Sequence, residues 1–106
     1  MPWYVYLAHF LGGAYVANAL PHLIAGITGR SAPSPFASPP FRGLSSPRVN
    51  VVWALANLAF AYLLLVRVDA FDFRSWSEVG ACFLGFSAMA FQCSRSLGRI
   101  REGTVP

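Results

Sequence analysis

The sequence contains no lysine, and its charged side chains are eight arginines and four acids among 106 residues. Charged residues make up 11% of the chain, against roughly 25% in an average soluble domain. Residues 1–29, 49–66 and 79–94 carry no Asp, Glu, Lys or Arg at all. A soluble helical domain needs a solvated face on each helix, and these segments cannot supply one. That excludes a water-soluble globular domain and most soluble enzyme classes with it. Intrinsic disorder is excluded too, because it needs low hydrophobicity, and 56% of this chain is hydrophobic. The two cysteines, Cys82 and Cys93, lie eleven residues apart on one candidate helix. That is about 16 Å along the axis, beyond disulfide reach. No CxxC or His–Cys metal spacing occurs, and no GxSxG nucleophile pattern.

What is present is apolar and helical. A span needs roughly 20 apolar residues to cross the hydrocarbon. Three stretches qualify, at about 3–28, 47–67 and 76–97, so residues 1–106 read as a single all-α membrane domain. The first opens at Pro2 and closes at Gly29. The second has Ser46 as N-cap and Pro47 at the first helical position. The third starts at Ser75 and Glu78, which have capping-box spacing. The first stretch has no basic n-region, so it reads as a retained helix rather than a signal peptide.

Arginine placement sets the orientation. The first loop carries Arg30, Arg42 and Arg48 with no acid, and the C-terminal end carries Arg95, Arg99 and Arg101 against Glu102. The other loop mixes Arg67 and Arg74 with Asp69 and Asp72. The expectation is an outer N-terminus and a cytoplasmic C-terminus in a bacterial inner membrane. Arg42, Arg48 and Arg99 would then meet anionic lipid headgroups, and nucleic-acid binding is not expected. Trp3, Tyr4 and Trp76 would sit at the outer interface.

The loop over 30–46 is rich in proline, with Phe36 and Phe41 among Pro33, Pro35, Pro39 and Pro40. It reads as an irregular loop dipping into the headgroups, as a semi-rigid arm for a partner subunit, or as a re-entrant segment. In the arm reading Phe36, Pro39, Pro40 and Phe41 make the contact. The outer connection, 68–75, is aromatic and mixed in charge.

Polar residues inside spans are costly unless partnered, so they are the functional candidates. The first span offers His9, Tyr15, Asn18 and His22, the second Asn50, Asn57 and Tyr62, the third Ser87 and Gln92. Helical spacing gathers small and polar residues into stripes: Gly12, Tyr15, Ala19, His22 and Gly26; Asn50, Ala54, Asn57 and Ala61; Ala81, Gly85, Ala88 and Gln92. Such stripes pack closely, with Asn18, His22, Asn57 and Gln92 as hydrogen-bonding glue. The alternative is a pocket for a quinone, lipid headgroup or pigment, centred on His22 with Asn18 and Asn57. His9 and His22 are roughly 20 Å apart along the helix and cannot share a metal. With Glu78 read as a cap, no acid is expected inside a span, so no paired-carboxylate site or Asp/Glu proton relay is expected. No catalytic residue, metal ligand or cofactor is assigned.

The stretch Pro21-His22-x-x-x-Gly26-x-x-Gly29-Arg30, then Ser34-Pro35-Phe36-Ala37-x-Pro39-Pro40, Gly43-Leu44-Ser45-Ser46-Pro47 and Asn50-Val51-x-Trp53, resembles a group of small bacterial three-span inner-membrane proteins of unassigned function. The similarity covers about a third of the chain. In size, span content and aromatic richness the chain also resembles accessory proteins of purple-bacterial reaction centre–light-harvesting complexes. That resemblance implies a block that interrupts an antenna ring. The residues four before His9 and His22 are Val5 and Asn18, which departs from the antenna pattern of a small residue there, so a pigment carrier is not implied.

The expectation is a non-enzymatic accessory subunit of a larger bioenergetic membrane complex, contacting other integral subunits and membrane lipids, and in a photosynthetic complex permitting quinone passage. The alternatives are a homo-oligomeric transporter or channel lined by Asn18, His22, Asn57 and Gln92, and a quinone- or cofactor-binding module centred on His22.

Overall fold

The computed structural model describes residues 2–102, with side chains through Gly98. Helix α1 spans Trp3–Ile27. Pro2 caps it from outside in an extended conformation rather than occupying its first turn. At the other end Gly29 takes φ 73°, a left-handed conformation that glycine adopts without strain. The N–H groups of Gly29 and Arg30 then close on the carbonyls of Gly26 and Ala25 at 3.1 and 2.8 Å. This is a Schellman ending, and it turns the chain out of the helix.

Helix α2 covers Pro47–Tyr62 and passes directly into a π-helical segment, Leu63–Arg67. Its start is as the sequence suggests: Ser46 Oγ accepts the Val49 N–H at 3.2 Å, with Pro47 following. The π segment carries no sequence signal; it lays Leu65 over Gly12, where a Cβ would meet Leu65 Cγ at 2.6 Å. Helix α3 covers Trp76–Glu102, continuing past the expected end at Leu97. Ser75 Oγ accepts the Glu78 N–H at 3.3 Å, which is one half of the capping box. The other half does not form, because the Glu78 carboxylate turns to α1 instead. Arg99, expected at the lipid interface, lies outside the described side chains.

Helix α1 is the central strut. It packs against α2 on one side and α3 on the other, and α2 and α3 make no helix–helix contact among the described residues. Small residues allow this. A Cβ added to Gly85 would strike the Phe10 carbonyl oxygen, and one added to Gly13 would strike the Cys82 carbonyl oxygen. Backbones that approach this closely are the signature of helices joined by packing rather than by large apolar side chains. Gly85→Ala is therefore expected to push α1 and α3 apart at a cost of about 1–3 kcal/mol, as for other overpacked contacts. Gly80 meets nothing within 4 Å, so Gly80→Ala should be neutral or slightly stabilising. Thermal unfolding in detergent micelles compares the two.

The distribution of side chains is the reverse of a soluble core. The largest fully buried side chains are His9, Asn50, Asn57 and Ser34, whereas Leu7, Ile24, Val52, Leu55, Phe83 and Phe91 are exposed. Two helices, Trp3–Ile27 and Pro47–Arg67, are long and apolar enough to cross a membrane. Trp3 and Trp76, at 75% and 91% exposure, project from the same end of the bundle, with Tyr4 nearby and half exposed. The third stripe is displaced from its expected face: Ala88 and Gln92 are exposed, and Gln92 donates to Ser96 on its own helix at 3.1 Å. Gly85 of that stripe does pack against α1, and it shares the inward face with Glu78, Cys82 and Cys93.

Candidate functional site

The 30–46 loop is folded, and Asn50 holds it. Ala32 and Ser45 exchange backbone hydrogen bonds of 3.2 and 2.9 Å, pinching the loop shut at its base. Asn50, on the first turn of α2 and fully buried, donates from Nδ2 toward the carbonyls of Ala32, Ser45 and Ser46 at 3.1, 3.2 and 3.1 Å. Above the pinch, Ser34 hydrogen-bonds the Ser45 hydroxyl. Its carbonyl accepts the Ala37 and Phe41 N–H groups at 3.1 and 2.9 Å. Prolines cannot make the repeating ladder of a helix or sheet, so a few side-chain amide and hydroxyl groups organise the loop.

The same amide fixes His22. Three carbonyls around Nδ2 admit only a donor there, so Oδ1 of Asn50 is the acceptor facing His22 Nδ1 at 2.7 Å. His22 therefore carries its proton on Nδ1. Its Nε2 has no hydrogen-bond partner among the described residues and is not sealed in protein. With Nδ1 carrying the proton, the neutral form of the ring offers that nitrogen as an acceptor.

One turn deeper, a second relay crosses all three helices. Cys93 Sγ donates to Asn18 Oδ1 at 3.7 Å, Asn18 Nδ2 to Asn57 Oδ1 at 2.9 Å, and Asn57 Nδ2 to the Trp53 carbonyl at 2.8 Å. The Trp53 carbonyl fixes both amide orientations in turn. Of the expected cluster, Asn18, His22 and Asn57 are thus brought to one end of the bundle. They form two separate networks rather than one chain of contacts. Asn57 is 0% exposed with both ends of its amide occupied. Asn57→Leu should cost about 1–3 kcal/mol by stranding Asn18, read as lower thermal stability with the helical signal retained at low temperature.

A cavity of about 610 Å³ opens beside these networks, in the gap that α2 and α3 leave across α1. Its walls include His22, Asn18, Trp53, Cys93 and Gln92, and the loop contributes Pro33, Phe41 and Arg42. A second, more apolar hollow of about 550 Å³ borders it at Pro21, Cys93 and Leu97 and runs along the outer α1–α3 seam past Ala17 and Phe86.

The opposite end holds a group that the sequence reading missed. His9 is fully buried, its Nδ1 3.3 Å from Glu78 Oε1, and the Glu78 side chain is 4% exposed. Glu78 lies in the first turn of α3, as its cap spacing suggests, but its carboxylate is buried against α1 rather than folded back on its own cap. His9 Nε2 faces the Asp69 carbonyl at 3.2 Å, and that contact requires a proton on Nε2. His9 Nδ1 and Glu78 Oε1 face each other as a close polar contact between α1 and α3. Neither atom has a hydrogen-bond partner among the described residues, so the contact is electrostatic. Phe71 closes the group edge-on at 5.2 Å. The sequence signal was the only histidine and the only acid of the N-terminal halves of α1 and α3, and their alignment could not be read without the offset between the two helices.

The arm residues are exposed as expected. Pro39, Pro40, Phe36 and Phe41 all face outward, the last two at 67% and 66% exposure. Phe36 leans edge-on against Trp53 at 5.4 Å. Phe41 has φ 64°, a left-handed conformation that costs a bulky residue of order 1–3 kcal/mol. Its N–H bond to Ser34 holds it there. Arg42 and Arg48 are exposed, and the only ion pair among the described residues is His9–Glu78.

Compared with protein-family models, curated proteins and solved structures, the chain matches none of them.

Proposed function

We propose that α3 is a third span, that the N-terminus faces outward and the 30–46 loop and C-terminus face the cytoplasm, and that the chain is a non-enzymatic accessory subunit of a larger bacterial inner-membrane bioenergetic complex. The braced loop carries this reading. A proline-rich segment held by Asn50 and Ser34 keeps Phe36, Pro39, Pro40 and Phe41 facing outward, with Phe41 in a strained conformation. A pre-ordered apolar platform loses little entropy on docking, which is what a subunit contact needs.

The inner polar residues support the same reading from the other side. Asn18, Asn57, Asn50 and Glu78 are engaged in holding helices or loop together. A conduit through Asn57 gains no support, since its side chain is sealed with both ends of the amide occupied. A photosynthetic antenna–reaction-centre complex is one setting for such a block, where three helices would interrupt a ring and leave a path for quinone. Extraction of native membranes in mild detergent followed by native electrophoresis tests the proposal. The chain should migrate with a much larger complex, and migration alone or as a small ring of itself overturns the role.

A further inference from the structure

We infer that the cavity at the loop end is a binding site for an anionic phospholipid whose headgroup carries free hydroxyls, of the phosphatidylglycerol type. Three features select that chemistry. First, Asn50 fixes the His22 proton on Nδ1, so the neutral ring turns Nε2 to the cavity as an acceptor that a hydrogen-bond donor satisfies. A choline headgroup offers no such donor, and an ethanolamine headgroup donates only from an ammonium, whose positive charge is unfavourable in a chamber walled by Arg42. Second, Arg42 stands on the wall with no carboxylate within 4 Å among the described residues, so the occupant needs an anion as well. A phosphodiester bearing a glycerol satisfies both at once, with the hydroxyl toward His22 and the phosphate toward Arg42. Third, the shape continues from head to tail. The roughly 610 Å³ chamber is the more polar of the two hollows, and the adjoining 550 Å³ hollow is lined by Leu20, Ile24, Phe86 and Ala90. Phe86 and Leu97 are eleven residues apart on α3, so this hollow follows an acyl chain for about 16 Å.

Depth agrees with the assignment. His22 lies five residues before the end of α1 at Ile27, about 8 Å inside it. That is headgroup and glycerol depth if this helix end marks the membrane boundary, rather than the bilayer centre. A prenyl quinol also has a donating hydroxyl and a tail, but it gives Arg42 no anion. The inference rests on the membrane reading and not on the accessory role. A chain that retains lipid yet migrates alone would end the role and leave the site standing.

The test uses the full chain, since His22 and Asn50 also hold the fold and their variants could fail to assemble. Purified protein is delipidated and then melted in nanodiscs of phosphatidylethanolamine alone, or doped with phosphatidylglycerol or phosphatidylmethanol. The last keeps the phosphodiester and has no hydroxyl. Mass spectrometry of lipid retained after extraction from native membranes runs in parallel. Phosphatidylglycerol should be enriched about tenfold over phosphatidylethanolamine relative to the bulk membrane, because both offer Arg42 a phosphate but only the first brings a net negative charge to it. It should also raise the melting temperature more than phosphatidylmethanol does. Arg42→Gln, at an exposed position, should lose most of the enrichment while melting normally without added lipid. Equal retention of all phospholipids overturns the site, as does a prenyl quinol in their place. Phosphatidylmethanol performing as well as phosphatidylglycerol overturns the role given to His22.

Discussion

Asn50→Asp is expected to disrupt the loop end of the bundle more than Asn50→Ala, although aspartate nearly matches the native shape. The two Nδ2 hydrogens of Asn50 are shared among the carbonyls of Ala32, Ser45 and Ser46, and its Oδ1 receives the His22 proton. Alanine removes these bonds and leaves each of the three carbonyls with one backbone partner, since the Ser45, Ala32 and Asn50 N–H groups still reach them. The expected loss is about 3 kcal/mol, at roughly 1 kcal/mol for each neutral bond and with the His22 proton left unpaired. A carboxylate instead sets a fourth lone-pair-bearing oxygen against the three carbonyls, where a donor stood. Even protonated it supplies one hydrogen where the amide supplies two. Melting in detergent and tryptic cleavage after Arg42 should rank the variants wild type, Ala, Asp in falling resistance. An Asp variant as stable as wild type would show that the amide is oriented the other way and that His22 Nε2 is not a free acceptor.

Glu78 and His9 should respond asymmetrically to mutation. His9→Leu leaves a carboxylate in an apolar, nearly sealed place between α1 and α3, and breaking a buried pair in this way costs about 3–5 kcal/mol. Glu78→Gln should cost about 1 kcal/mol or less, because an amide N–H can face the imidazole with Nε2–H still bound to the Asp69 carbonyl. His9→Leu with Glu78→Leu should recover most of the single-variant loss, since apolar replacement of a buried pair is often neutral or stabilising. A double-mutant cycle on thermal unfolding reads the coupling. Additive single effects would show that the 3.3 Å pair contributes nothing to holding the helices together.

Much of this fold is written in local signals. Ser46 with Pro47, Gly29, and Ser75 mark helix ends through their own backbone chemistry, and each falls where the structure has it. The stripes on α1 and α2 were legible as well, because 3.6-residue periodicity alone places Asn50, Ala54, Asn57 and Ala61 on one buried face. The stripe on α3 was misplaced by one register. Its small residues outnumber what a single contact face needs, and only the close crossing at Gly85 and Gly13 decides which are used. Partnerships were less legible than faces. Asn50 was one amide among four until the loop folded back onto it, and Glu78 looked like a cap because capping-box spacing is satisfied whichever way its carboxylate turns. Both depend on contacts more than fifteen residues apart in sequence.

Site-specific photo-crosslinking in intact cells tests the central claim most directly. A photoreactive phenylalanine analogue at Phe36, on the exposed side of the loop, should yield a discrete adduct with another membrane subunit. The same analogue at Phe91, exposed on α3, serves as the lipid-facing control. A defined protein adduct from Phe36 alone is the result this account predicts. Lipid adducts from both positions, or adducts only between copies of this chain, would contradict it.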